Sequence, residues 1–185
     1  MTRLLGDDIE RAIQARDVDL GVATRFRAVS GLVKAYIADQ DLCVVVRKGH
    51  PATRGRLDAA RDASFDHAVV TPRGLPGSPV DTALEALGLR RRIAVRLPPF
   101  VVAAHVVAES DLVVTQPRAF AEHMAKRAPL VVLPLPLAIP PDRFSFGFSE
   151  ALRADPAHAW FRGVFLEAAR GALRPRSRRG VGSRG

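Results

Sequence analysis

Between Leu42 and Leu133 short unbroken apolar runs alternate with segments of helical period, and that alternation confines the chain to an α/β architecture. Leu42-Cys43-Val44-Val45-Val46 is apolar without interruption, the pattern of a strand covered on both faces, and Arg47-Lys48-Gly49-His50-Pro51 ends it. A short helical stretch over 57–62 precedes a strand over 67–70, which Thr71-Pro72-Arg73-Gly74 closes. Gly77-Ser78-Pro79 opens the next helix: the Ser78 hydroxyl can accept from a free backbone amide, the fixed φ of Pro79 suits the first helical position, and Gly88 marks the exit. Strands over 93–97 and 111–115 then alternate with helices over 101–109 and 118–127. Helical connections join parallel neighbours by right-handed crossovers, so mainly parallel sheets flanked by helices are expected.

Flanking segments extend the pattern. Asp7 or Asp8 can cap a helix on which Ile9, Ala12 and Ile13 share a face, and a strand over 18–23 follows. The strand that starts at Leu130 runs into Pro134, Pro136, Pro140 and Pro141, which cannot donate to a central ladder and mark a crossing segment. Phe144, Phe146 and Phe148 alternate with Ser145, Gly147 and Ser149, the period of a strand with one buried face. Asp155 and Pro156 begin a final helix in which Trp160, Phe161, Val164, Phe165, Ala168 and Ala172 recur at three- and four-residue steps.

Composition and motifs remove several kinds of function. With 48% apolar residues the chain can fill a core, yet no run reaches the roughly 18 residues of a membrane helix. Met1–Asp8 does not resemble a signal peptide, so a cytoplasmic protein with no membrane partner is expected. The single Cys43 excludes a disulfide framework and reads as a small buried strand residue. The net charge of +9 points toward nucleic acid, but five arginines lie in the last twelve residues, and 175–185 is predicted to be a disordered basic tail. Gly180-Val-Gly-Ser-Arg-Gly matches a dinucleotide fingerprint only as a string, since no strand precedes it and no helix follows. The five histidines lack the spacing of a metal site, and Ser78 lacks the glycine two places on that a nucleophile elbow requires. Asp7 and Asp8 are better explained as helix caps than as an acid/base pair. No catalytic constellation, metal or cofactor is expected.

Five segments in order carry a family resemblance: Leu5-Gly-Asp-Asp-Ile-Glu-Arg-Ala-Ile, Val18-Asp-Leu-Gly-Val-Ala, Val44-Val-Val-Arg-Lys-Gly-His-Pro, Ser110-Asp-Leu-Val-Val-Thr-Gln-Pro-Arg and Asp155-Pro-Ala-His-Ala-Trp-Phe-Arg. Together they resemble the effector-binding domain of LysR-type transcription regulators, over nearly the whole chain up to about Leu173. The resemblance implies a two-lobed fold like that of type 2 periplasmic binding proteins, joined by two crossing strands, with residues 1–64 and 134–174 in one lobe and 65–133 in the other. It implies a non-catalytic sensor of a small-molecule effector, an aromatic or other carboxylate, that pairs as a homodimer and as a tetramer at full length. DNA would be reached only through an N-terminal winged helix-turn-helix, which this sequence does not show, and the chain is expected to begin inside the first strand of its lobe. The alternative is a stand-alone solute-binding protein of the same fold.

In open α/β sheets ligands gather at the carboxyl ends of strands. That rule nominates Gly6 and Asp7; Thr24, Arg25 and Phe26; Thr71, Pro72 and Ser78; Pro99, Phe100 and Val101; and Thr115 and Gln116 as the lining of the cleft. Phe100 is expected to supply apolar contact and Thr24, Thr71, Ser78 and Thr115 hydrogen bonds, with Arg25 or Arg73 offsetting the charge of Asp7 toward an acid.

Overall fold

The computed structural model describes residues 7–24, 26–70 and 78–173. In chain order the elements are α1 (Asp7–Ala15), β1 (Gly21–Ala23), β2 (Leu32–Gln40), β3 (Leu42–Arg47), α2 (Ala59–Ala63), β4 (Asp66–Val70), α3 (Pro79–Glu85), β5 (Arg92–Leu97), α4 (Phe100–Ala108), β6 (Val113–Pro117), α5 (Arg118–Met124), β7 (Leu130–Pro134), β8 (Asp142–Ser149) and α6 (Pro156–Leu173). They form a three-stranded sheet, β1-β8-β2, and a five-stranded sheet, β5-β4-β6-β3-β7.

The α/β expectation holds, and two of its details are corrected. The sheets are not mainly parallel. β8 is antiparallel to both β1 and β2, and β3 is antiparallel to both β6 and β7. Among the described strand pairs, β4 with β5 and β4 with β6 run parallel; helical crossovers, α3 between β4 and β5 and α4 between β5 and β6, return the chain in the same direction each time. The second correction concerns the chain's change of sheet. The sequence reading put the first change near residue 64 and the second in the proline-rich stretch that runs to Pro141; sheet membership puts the second in the segment 135–141, as read, and the first at Asp41. β3 is the reason. Its apolar run needs cover on both faces: Cys43 and Val45 face Ala103, Ala104 and Val107 of α4, while Val44 and Val46 pack with Ala52, Leu57 and Phe65. All four are fully buried, so β3 lies inside the larger sheet.

The smaller sheet is built differently. β8 lies between two neighbours, so Phe146, Gly147, Phe148 and Ser149 are all buried, and the expectation of one buried face gives way to two. Phe146 and Phe148 pack with Ile37 of β2 and with Phe165, Leu166, Ala169 and Leu173 of α6. Ile9 and Ile13 of α1 press on β1 at Gly21, where a Cβ would stand 2.6 Å from Ile9 Cγ1; only glycine permits that approach. α6 starts as its sequence indicates, with the Asp155 carboxylate accepting from the His158 amide at 2.7 Å. Its opposite face leaves Trp160, Phe161 and Val164 exposed.

Among the described residues no helix is long and apolar enough to cross a membrane, and no group of three histidines, cysteines or carboxylates could hold a metal ion. His50 and His158 are buried and hydrogen-bonded, His50 between the Ala52 amide and the Asp111 carbonyl, His158 between Arg162 and the Asp19 carbonyl. Cys43 is buried with its thiol donating to the Gln116 carbonyl, and burial pushes its pKa up to about 12. The predicted tail over 175–185 lies outside the described residues.

Candidate ligand-binding cleft

Both crossings run beside one cavity of about 800 Å3. Its larger-sheet wall comes from the buried end of β4 (Ala68, Val69, Val70), from Thr115 of β6 and Leu42 of β3, from Phe100 at the start of α4, and from the inner face of α3. The smaller sheet contributes Thr24 after β1 and Asp142 at the start of β8, and Ala138, Ile139 and Pro140 of the crossing segment close the space between. A site framed by both sheets changes shape whenever one sheet moves relative to the other.

The local sequence explains each position. Ser78 caps α3, its hydroxyl accepting from the Val80 amide at 3.2 Å, and Pro79 fills the first turn, which turns Val80, Ala83 and Ala86 toward the cavity. Beneath them Val80 and Leu84 pack against Ala63, Leu89, Leu137 and Ile139. Phe100 is partly exposed and tilts against Phe120, with ring centroids 5.9 Å apart. Thr115 is paired with Val44 in the ladder, and its Oγ1 is buried without a hydrogen-bond partner among the described residues. A buried hydroxyl in that state favours a polar ligand atom beside it.

Of the nominated residues, Thr24, Ser78, Phe100 and Thr115 line this cavity. Gln116, Phe26, Pro99 and Val101 do not. Gln116 points to the other face of β6, fully buried, its Nε2 donating to the Phe100 carbonyl at 3.0 Å. Phe26 lays its ring on Gly147 of β8 and belongs to the packing of the smaller sheet. Pro99 occupies the N-cap position of α4, and Val101, one residue past Phe100 on that helix, faces solvent. Asp7 opens α1, but its side chain, like Gly6, Arg25, Thr71, Pro72 and Arg73, lies outside the described residues.

Sequence reasoning found the crossing segment but did not place it, Arg91 or Asp142 in the lining of the cavity. Arg91 lines the cavity although its side chain is only 3% exposed, and its Nε donates to Asp81 at 2.7 Å. Around it are two further buried groups. His67 donates Nε2–H to the Asp62 carbonyl at 2.9 Å, which leaves Nδ1 facing Arg91 at 3.5 Å; burial holds its pKa down at about 4, so the ring is neutral. The carboxylate of Asp62 is fully buried with neither oxygen hydrogen-bonded among the described residues, and desolvation pushes its pKa up to about 6 despite the attraction of Arg91.

Residues 3–170 match the family described as the LysR substrate binding domain. The chain belongs to that family. The transcriptional activator NahR of Pseudomonas putida is 27% identical over 157 residues, covering 85% of this chain and 52% of NahR. Nodulation protein D 2 of Sinorhizobium fredii (strain NBRC 101917 / NGR234) is 31% identical over 173 residues, 93% of this chain and 55% of that protein. Among solved structures, the probable transcriptional regulator PA0477 from Pseudomonas aeruginosa superposes with a TM-score of 0.72 at 28% identity, over 88% of this chain and 52% of that one. The chain thus spans about half the length of the curated relatives it matches. It has the two-lobed fold of the periplasmic-binding-protein type and is the effector-binding domain of a LysR-type regulator; the solute-binding alternative is not favoured by these relatives. The family is one of transcription regulators, which are not catalytic.

Proposed function

We propose that the cavity between the sheets binds a small-molecule effector carrying a carboxylate on an apolar, aromatic-sized body, and that closure of the lobes around it is the signal this domain passes on. One observation carries the reading: a cavity of about 800 Å3 is lined by residues of both sheets and of the crossing segment, so its occupant touches both lobes. The volume suits a ligand of drug-like size, and the apolar wall from Val70, Val80, Phe100 and Ile139 supplies the larger share of the affinity. Micromolar binding needs about 8 kcal/mol, which a single hydroxyl such as Thr115 does not provide.

The lobes in this reading are 7–41 with 142–173, and 42–134, following the sheets. Two chains pair as a homodimer, a tetramer forms at full length, and DNA is contacted in the cytoplasm through a separate DNA-binding segment, as befits a relative of NahR, described as a transcriptional activator. A ligand that distinguishes open from closed lobes by about 1 to 3 kcal/mol would change DNA affinity several-fold.

The test is thermal melting of the chain against a panel of aromatic and aliphatic carboxylates, with Phe100→Ala and Thr115→Val as cleft variants. A saturable rise in Tm that both variants diminish is expected. A rise that neither variant touches would move the site elsewhere.

A further inference from the structure

Arg91 has no counterpart in the charge runs of the surface. Arg90 and Arg92 flank it, and Arg92 reaches out to pair with Asp66 on the protein's exterior, whereas Arg91 turns inward, buried, into the floor of the cleft. There it is one cation between two carboxylates. Asp81 of α3 holds its Nε, and Asp62 of α2 attracts it across the core without a hydrogen bond. With both carboxylates ionised the cluster carries a net charge of about −1, with Arg91 and Asp62 buried and Asp81 28% exposed, an arrangement that opposes a further anion.

Resting on the reading of the cavity as the effector site, we propose that Arg91 receives the ligand's carboxylate and that this capture is proton-linked, Asp62 taking up one proton as the anion arrives. The charge then balances. Arg91, Asp81 and Asp62 sum to −1 before binding, and the same three groups with the added carboxylate and the added proton sum to −1 after it.

Asp62 is suited to the role because, among the described residues, no group other than Arg91 competes for its charge. On its own helix Arg61 is turned away, donating to the carbonyls of Pro51, Arg54 and Arg56, and Asp58 caps the helix through the Arg61 amide. From β4, His67 meets only the Asp62 backbone, and Asp66 is engaged by Arg92. From α3 comes Asp81, already held by Arg91. The crossing segment 135–141 carries no ionisable side chain. Burial already draws the carboxyl toward its protonated form, to about pH 6, so an extra negative charge at Arg91 moves its titration through neutrality.

Benzoate, with benzamide as its uncharged counterpart, is the probe. Calorimetric titration of the chain with benzoate at pH 7 in two buffers of unlike ionisation enthalpy is expected to show uptake of close to one proton per ligand. Benzoate affinity is expected to fall up to tenfold per pH unit above pH 6, and benzamide binding to be weaker and independent of pH. Asp62→Asn retains benzoate binding but loses both the proton uptake and the pH dependence. Arg91→Gln loses benzoate selectively. Because that variant strands Asp81 and can unfold, Asp81→Asn provides the second arm: it frees Arg91 and tightens benzoate binding several-fold. Equal binding of benzoate and benzamide without proton uptake overturns the proposal while leaving the cleft as a ligand site. Failure of benzoate to bind while benzamide raises Tm does the same. If benzoate fails at tens of millimolar and the whole panel is silent, the carboxylate role of Arg91 and the cleft reading fall together.

Discussion

Asp62 and His67 titrate in overlapping windows with opposite signs, and separating them tests whether the buried cluster is built as described. In the fold, burial raises Asp62 from 3.8 to about 6, so between those values the folded chain holds a proton that the unfolded chain has lost. Stability from this group is therefore lost as pH rises through that window. Burial lowers His67 from 6.5 to about 4, so as pH falls through that range the unfolded chain takes up a proton that the folded chain refuses. Stability from this group is lost as pH falls. At 1.36 kcal/mol per unit each displacement corresponds to about 3 kcal/mol, and in the native sequence the two slopes nearly cancel between pH 4 and 6. Asp62→Asn unmasks His67: the variant's stability is expected to drop, relative to the parent's, by about 3 kcal/mol on going from pH 6.5 to 4. His67→Gln unmasks Asp62 and gives the reverse slope. Urea denaturation followed by far-UV circular dichroism at half-unit pH steps reads both, and titrations shared by parent and variant cancel in the difference. Parent and Asp62→Asn curves that run parallel across this range would refute the assignment of a buried, proton-holding Asp62.

Other consequences are simpler. Gly21→Ala drives a methyl into Ile9, 2.6 Å from its Cγ1, and is expected to destabilise the chain by about 1 to 3 kcal/mol in the same denaturation assay. The Cys43 thiol, buried and with its pKa near 12, is expected to resist a thiol reagent at pH 8 in the native protein and to react within seconds once urea unfolds it.

The sequence made the larger sheet more legible than the smaller one. β3, α3 and α4 announce themselves through local chemistry: an unbroken apolar run, a Ser-Pro start, a helix apolar on all sides. β2 did not. Lys34, Asp39 and Gln40 interrupt its apolar residues, and a bulge between Tyr36 and Ala38 breaks the period of two, so the longest strand of the fold left no alternation to read. Its invisibility hid the first crossing as well, since a single residue, Asp41, separates β2 from β3. The cleft was legible where the carboxyl-end rule applies, at Thr24, Phe100 and Thr115. Arg91 escaped it because it precedes β5 at the amino end. In the run Arg90-Arg91-Arg92 only tertiary packing against Asp81 and Asp62 distinguishes the middle arginine from its neighbours.

The central claim is that one ligand touches both sheets at once. Backbone amide chemical-shift mapping of the 185-residue chain, titrated with the strongest ligand of the carboxylate panel, tests this most directly. The account predicts saturable shifts at Thr24 and Asp142 on one side and at Ser78, Phe100 and Thr115 on the other, with a single dissociation constant. Shifts confined to one sheet, or to the exposed Trp160 and Val164 face of α6, would contradict it.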